Sequence, residues 1–537
     1  MMMPIRAAVL AGILVSAAAI PTAGSTAQKR EPDGALDAAL QVFWAADDPL
    51  KKARAIEGVL ATRPEFEELW ARLEAGRSYS PDVATGRVVL TRSSKEGVEH
   101  HHMVVIPEHY DPRRKYPVRF YLHGDVQRPA WQPDGNWWRN YRRIAAPERI
   151  AVFPSSWRES RWWQESQVKN LAAILDGLKR TYNIDENRVH LIGASDGGTG
   201  VYFQAFRAST QWAAFLPFIS NPIVLTNPRI GVDGQIYVVN LTNKPFFAVN
   251  GGRDPLYPPG AVIPFMELFK KAGVPLQFRM KAGSGHTTRW WPEEAAAIDS
   301  FIDSTPRNPL PDHLAWETER TDRYDRIHWL LITELGSVEG ESSFKEFNSV
   351  IMRPPLSLGV KMDEGSTHGV RLVEVESRSP AGSAGLRTGD LIVEAGGAET
   401  PTPRELRRVL SGYGFGSSIP VTIVRDGGRR KLTLRVPEEP APRSLPAFPH
   451  AAPSGRIELE RRDNTVRVRC RGVRRYMLLL SPEQFDFSKP LRVFTNDAES
   501  FNGDIAPDVR ALLKWAARDN DRTMLFGAEL EIDVAGR

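Results

Sequence analysis

A single cysteine, Cys470, occurs in 537 residues. No disulfide can form within the chain, so stability must come from core packing. A lone Cys in a strand-like run reads as a small buried hydrophobe. Charge of one sign is also lacking. Lys and Arg number 70 against 65 Asp and Glu, a formal net charge of +5, and the two signs are interleaved. There is no long basic block, which excludes a nucleic-acid footprint. Beyond Ile20 no stretch is apolar enough for a membrane span.

The length exceeds what one compact core can use, and ~3–4 domains are expected. The first residues read as a targeting segment. Arg6 supplies a positive start, Ala7 to Ile20 is a short apolar run, and Ser25-Thr26-Ala27 offers small residues for cleavage. Residues 1–27 are therefore expected to be a signal peptide, the mature chain to start near Gln28, and the protein to be periplasmic or secreted. No Cys stands at the cleavage point, so no lipid anchor is expected. Residues 31 to about 77, within an N-terminal extension expected over 28–83, have helical spacing. Two helices joined around Asp47-Asp48-Pro49 would fit, forming a packing extension.

The rest of the chain is organised around Arg188 to Gly200. Val189 to Ile192 reads as a buried strand, Gly193-Ala194-Ser195-Asp196-Gly197 fits G-x-S-x-G, and a helical stretch follows. The pattern requires a tight strand-to-helix turn, with small residues beside a strained Ser195. Around it, apolar strands alternate with helical segments. Strands are expected near 86–92, 102–106, 116–122, 150–153, 213–219, 244–250 and 276–281. Helices are expected near 168–182, 261–272 and 293–302. Such alternation predicts an α/β fold with a mostly parallel sheet and ligands at the carboxyl ends of its strands. His100, His101 and His102 open one strand. Adjacent strand residues point to opposite faces, so no metal site is assigned to them.

Residues 84–306 thus resemble secreted α/β-hydrolases of the esterase, dienelactone hydrolase and polyhydroxyalkanoate-depolymerase-like group. The matching residues are Val104 to Pro112, Leu122-His123-Gly124, Gly193 to Gly197, Asp254 and His286. A dienelactone hydrolase carries a Cys nucleophile, and Ser195 departs from that. The resemblance implies the order Ser, acid, His. After Ser195 only five His remain. His313, His328, His368 and His450 lie beyond the closing helix, which leaves His286. Asp254 follows an apolar strand and a Gly pair. Asp299 and Asp303, on the closing helix, are weaker candidates. The implied oxyanion donors are the Asp196 amide and those of Gly124 and Asp125. His123 is expected to be structural. No metal or organic cofactor is required.

Tryptophans cluster in loops expected at the same edge: Trp131, Trp137, Trp138, Trp157, Trp162, Trp163, Trp290 and Trp291. An aromatic cleft is expected from Trp137, Trp138, Trp162, Trp163, Trp290 and Trp291, suited to flat or sugar-like groups. Arg158, Arg161 and Arg289 lie among them and could meet a carboxylate.

Residues 354–438 resemble a bacterial PDZ domain, an α+β fold. The matching segments are Leu358-Gly359-Val360, Gly369 to Val375, Ser379-Pro380-Ala381, Ala384-Gly385-Leu386 and Gly389 to Ile392. The resemblance implies that amides of Leu358, Gly359 and Val360 bind the carboxylate of a peptide C-terminus, which adds a strand to the sheet edge. Residues 439–453 are Pro/Ala-rich and read as a stiff linker. Residues 307–353 and 454–537 are strand-like, and we expect them to form one β-sandwich-like domain with the PDZ domain inserted, because the first segment alone has too few strands for a core. The functional expectation is an exported serine hydrolase acting on a small or polymeric carboxylic ester. The alternatives are a serine peptidase on the same fold and a non-catalytic PDZ-mediated binding protein.

Overall fold

The computed structural model describes residues 34–94, 96–132, 135, 137–138, 146–337, 344–352, 357–410 and 412–534. The expected signal peptide lies outside the described residues. They fall into two compact units, divided after Pro64. In the first, helix α1 (Gly34–Ala45) packs on α2 (Pro49–Ala61). Asp48 starts α2 by accepting hydrogen bonds from the amides of Leu50 and Lys51, and Pro49 fits the first helical turn.

The expected two-helix extension is in fact three helices. A third, α3 (Phe66–Ala75), belongs to the second unit and contacts the helix Val509–Asp519. Arg63 with φ of +50° followed by Pro64 breaks the run, since the residue before proline disfavours helix.

The second unit is built on an eight-stranded sheet. Its strands are β1 (Gly86–Ser93), β2 (Glu99–Ile106), β3 (Tyr116–Leu122), β4 (Ile150–Pro154), β5 (Ile184–Ala194), β6 (Ala214–Phe218), β7 (Phe246–Gly251) and β8 (Leu276–Lys281). The order is β1-β2-β4-β3-β5-β6-β7-β8. The β1–β2 and β2–β4 pairs are antiparallel and the other five are parallel. Helices α4 (Glu165–Thr181), α5 (Asp196–Arg207), α6 (Pro259–Lys271) and α7 (Trp291–Ser304) follow β4, β5, β7 and β8. Side chains of α4, α5 and α6 bury one sheet face, and Ile298, Phe301 and Ile302 of α7 bury the other. Coverage on both faces explains why β4 and β6 are buried at every position and read as unbroken apolar runs.

Strand β2 starts three residues earlier than expected and contains all three histidines. His100 and His102 are buried, while His101 turns the other way, bonds Thr91 Oγ1 and stacks on Trp131 at 3.9 Å.

Two further sheets enclose a second core, which includes Trp316, Trp329, Ile457, Val466, Tyr476 and Phe526. His313–Thr318 pairs with Gly455–Arg462, and Leu330–Leu335 pairs with Val473–Leu480. Each sheet thus mixes strands from before and after residues 357–437. Cys470 is buried there. The strand Ala498–Gly503 pairs with Leu491–Thr495 at the edge of one of these sheets.

Between these segments sits a sheet of Val360–Met362, Val370–Val375, Leu391–Ala395, Ser418–Arg425 and Gly428–Arg435, in that order. Leu406 of the helix Pro403–Leu410 packs against its core.

The stretch read as a stiff linker is not one throughout. Arg443–Pro446 pairs antiparallel with Ser349–Met352. Val350, Ala447 and Phe448 are buried in the core of the large sheet's α4–α6 face. The Phe448 ring meets Phe206 at 5.3 Å and Phe265 at 5.7 Å. A few apolar residues in a Pro-rich run are enough to anchor it.

Among the described residues no helix is long and apolar enough to cross a membrane.

Candidate active site

Ser195 sits between β5 and α5 with φ of +57° and ψ of −123°. A non-glycine residue holds such angles only where its surroundings fix them. The fixing contacts are local. Ser195 N–H donates to Phe218 O at 2.9 Å, and a Cβ on Gly197 would lie 2.1 Å from Leu122 O. Only glycine lets α5 start this close to β3.

His286, on the loop after β8, places Nε2 2.8 Å from Ser195 Oγ and Nδ1 2.8 Å from Asp254 Oδ2. Asp254, on the loop after β7, has a fully buried side chain. Its Oδ1 accepts from the amides of Leu256 and Tyr257 at 2.9 and 3.1 Å. A carboxylate oxygen only accepts, so Nδ1 carries the proton and Nε2 is left to accept from the Ser195 hydroxyl. The Tyr257 ring meets the His286 ring edge-on at 5.5 Å, and burial pushes the Tyr257 hydroxyl up to about 12. Asp299 and Asp303 lie elsewhere: Asp299 pairs with Arg119, and the Asp303 carbonyl accepts from Arg188.

The turn after β3 lies against the same serine. A Cβ on Gly124 would sit 2.9 Å from Ser195 Cβ. Asp125 has φ of +58°, and its carbonyl accepts from Arg128 Nε at 2.9 Å. The Asp196 carboxylate accepts from the Val126 amide at 3.0 Å, tying this turn to the start of α5. Asp196 opens that helix, so its own amide has no intrahelical acceptor. His123 is locked out of acid–base work. Its Nε2 accepts from the Ser156 amide at 3.0 Å, which leaves Nδ1 to donate to Gly124 O at 2.7 Å. Burial lowers its pKa to about 4, keeping it neutral.

The six tryptophans expected in a cleft divide. Trp137, Trp138 and Trp291 line a cavity of about 500 Å³ beside Ser195. Trp162, Trp163 and Trp290 do not: they are buried. Trp162 Nε1 donates to His123 O, and Trp163 Nε1 donates to Ile230 O. They brace the loops. Arg161 likewise bonds Ile230 O and Arg158 bonds Gln127 O, leaving Arg289 on the cavity wall. Tyr257 and Arg128 carried no sequence motif. Their only signal was position, three residues after Asp254 and four after Gly124.

In the smaller sheet, Gly359 has φ of +70°, and a Cβ there would lie 2.1 Å from Ser379 Cβ. Leu358 O and Gly359 O accept from the amides of Ala381 and Glu376 at 3.1 and 2.9 Å. Leu358 and Val360 are half-buried against the core. The strand that follows, Val360–Met362, is an edge strand.

The strand order and helix placement are those of an α/β-hydrolase, followed by a PDZ domain and a mostly β-sheet C-terminal part. The PDZ domain family model matches residues 356–436. The chain is similar over 131 residues, at 30% identity, to the bifunctional acetylxylan esterase/xylanase XynS20E of Neocallimastix patriciarum, covering 24% of this chain and 19% of that protein. Over 124 residues it is 31% identical to dipeptidyl-peptidase 5 of Porphyromonas gingivalis, covering 21% of this chain and 18% of that one. A third match, 31% identical over 85 residues, is to a probable periplasmic serine endoprotease DegP-like protein of Halomonas elongata, covering 16% of this chain and 18% of that one. The chain thus spans under a fifth of each of these relatives. A solved thermostable esterase overlays with a TM-score of 0.34 at 21% identity, covering 41% of this chain and 63% of that one.

Proposed function

We propose that the chain is a serine hydrolase acting on carboxylic esters, with Ser195, His286 and Asp254 as its triad. The carrying observation is the pair of 2.8 Å contacts that link the three side chains in series. In this mechanism Ser195 Oγ attacks the ester carbon while His286 Nε2 takes its proton. The developing oxyanion is held by the Asp196 amide and the amides of Gly124 and Asp125. The carbon–alkoxy bond then breaks, and the proton on Nε2 passes to the leaving alcohol. Water, deprotonated by His286, hydrolyses the acyl-enzyme and returns Ser195. Asp254 holds the productive tautomer throughout.

The PDZ domain is proposed to take a peptide C-terminus at the Leu358-Gly359-Val360 amides, with the peptide pairing along Val360–Met362. The leader-like first residues and the periplasmic relative support export. A peptidase reading is favoured by the PDZ domain, and relatives of both kinds exist.

The test is fluorophosphonate labelling of the wild type and Ser195→Ala, with turnover of 4-nitrophenyl esters and of peptide anilides. Labelling and ester turnover that both vanish in the variant are expected. Anilide turnover above ester turnover would move the assignment to a peptidase. An unlabelled wild type would leave the binding-protein reading.

A further inference from the structure

The cavity beside Ser195 has a composition that the triad does not explain. Its base is made by Leu122 and His123, leading into Gly124, and by Gly193 and Ala194, leading into Ser195. Its walls are Trp137, Trp138, Trp291, Tyr121, Phe153 and Phe218. The rings hold one another. Tyr121 stacks on Phe153 at 5.2 Å, and Trp291 meets Phe218 edge-on at 5.4 Å while lying over the buried Trp290 at 6.2 Å. The slot is therefore formed before any ligand arrives.

Besides the Tyr121 hydroxyl, its polar side chains are Thr288, Arg289 and the doubly hydrogen-bonded His123. Among the described residues no carboxylate lines it, and Arg289 has no ion-pair partner. Among the described residues Trp138 Nε1, shielded from solvent, has no acceptor.

We infer that this cavity is the acyl pocket and that it takes a flat aromatic acyl group carrying an anionic substituent, which meets Arg289. The inference rests on the triad proposed above. The cavity is lined by Leu122 and His123, which lead into the Gly124 turn, and by Gly193 and Ala194, which lead into Ser195, so an acyl group bonded to Ser195 Oγ has this cavity next to it. The alcohol departs on the side of His286. Facing and edge-on rings match an aromatic group better than an alkyl chain, because their quadrupoles favour offset and edge contacts. A sugar needs many hydrogen-bond partners, and a peptide amino terminus needs a carboxylate. The described lining offers neither.

The test uses methyl esters, so that the leaving group is constant. For the wild type, kcat/KM is expected to rise at least tenfold from methyl butanoate to methyl benzoate, and again to methyl 4-carboxybenzoate. Arg289→Gln should remove the second step and retain the first. Trp291→Leu should lower the benzoate-to-butanoate ratio at least tenfold, with circular dichroism confirming its fold. In Ser195→Ala, methyl 4-carboxybenzoate should quench tryptophan fluorescence saturably. A labelled, active enzyme that prefers butanoate overturns the pocket and leaves the triad standing. If no ester is turned over, the ester reading falls, and the fluorescence titration alone decides whether the cavity takes an aromatic anion: saturable quenching supports this and its absence overturns it.

Discussion

Asp254 is held by three hydrogen bonds, and only one of them serves His286. Asp254→Asn keeps the two backbone contacts at Oδ1 but turns the other atom into a donor. The imidazole must then protonate Nε2, which can no longer accept from Ser195. A fall in kcat of ~10⁴-fold is expected, with binding little changed, by analogy with the same substitution in other triads. Single-turnover kinetics checks it. Tyr257 acts one step back, by bracing the ring of His286. Tyr257→Phe should retain most of kcat, while Tyr257→Ala should lower kcat more than it changes KM.

Asp254 and His286 stood out in the sequence because each follows an apolar strand and a Gly-rich turn. Trp137 and Trp162 could not be told apart there. Both lie in loops at the same edge, and nothing local says that one side chain turns to the cavity and the other to the His123 carbonyl.

At the scale of elements, the parallel strands were legible because burial on two faces writes an unbroken apolar run. The segment after the PDZ domain was not, because its anchoring depends on contacts from α5 and α6 that lie far away in sequence. Phe448 tests that anchor. It is wholly buried between Phe206 and Phe265, and Phe448→Ala should cost about 3–5 kcal/mol. Thermal melting checks this. The expected alternative, a free linker, would give no change. The turn at Gly197 is less forgiving. Gly197→Ala places a methyl carbon against a β3 carbonyl that cannot move without the sheet. We expect loss of fluorophosphonate labelling together with a lowered melting temperature, since overpacking here displaces backbone.

For the whole molecule, the large sheet and the C-terminal body are joined by buried charge. Asp521 accepts from Lys179 at 3.2 Å and from Arg307 at 2.8 Å, and the neighbouring Arg522 pairs with Glu186 at 2.6 Å. Burial opposes ionisation of Asp521, but Arg307 and Lys179 outweigh it and hold its carboxyl far below the usual range. A depressed carboxyl contributes stability above its unfolded pKa that is lost as pH falls. Removing one partner of a buried pair strands the other, so Asp521→Asn should cost about 3–5 kcal/mol.

Burial lowers the pKa of His100, His102, His123 and His190 to about 4. Their neutral forms are favoured in the fold. Their contribution is complete above the ordinary histidine value of 6.5 and is lost as pH falls toward 4. The melting temperature is therefore expected to be flat above pH 7 and to fall steeply between about pH 6.5 and 4, as scanning calorimetry would show.

The interleaved strands of the C-terminal body set an order of events during synthesis. His313–Thr318 and Leu330–Leu335 leave the ribosome before the PDZ domain, and their partners Gly455–Arg462 and Val473–Leu480 leave after it. The apolar faces of Trp316 and Trp329 must wait, uncovered, while an entire domain is made. The PDZ domain is thus also a delay. Its two ends meet on the Ser349–Met352 and Arg443–Pro446 ribbon, so once folded it delivers the late strands to the place where the early ones are waiting.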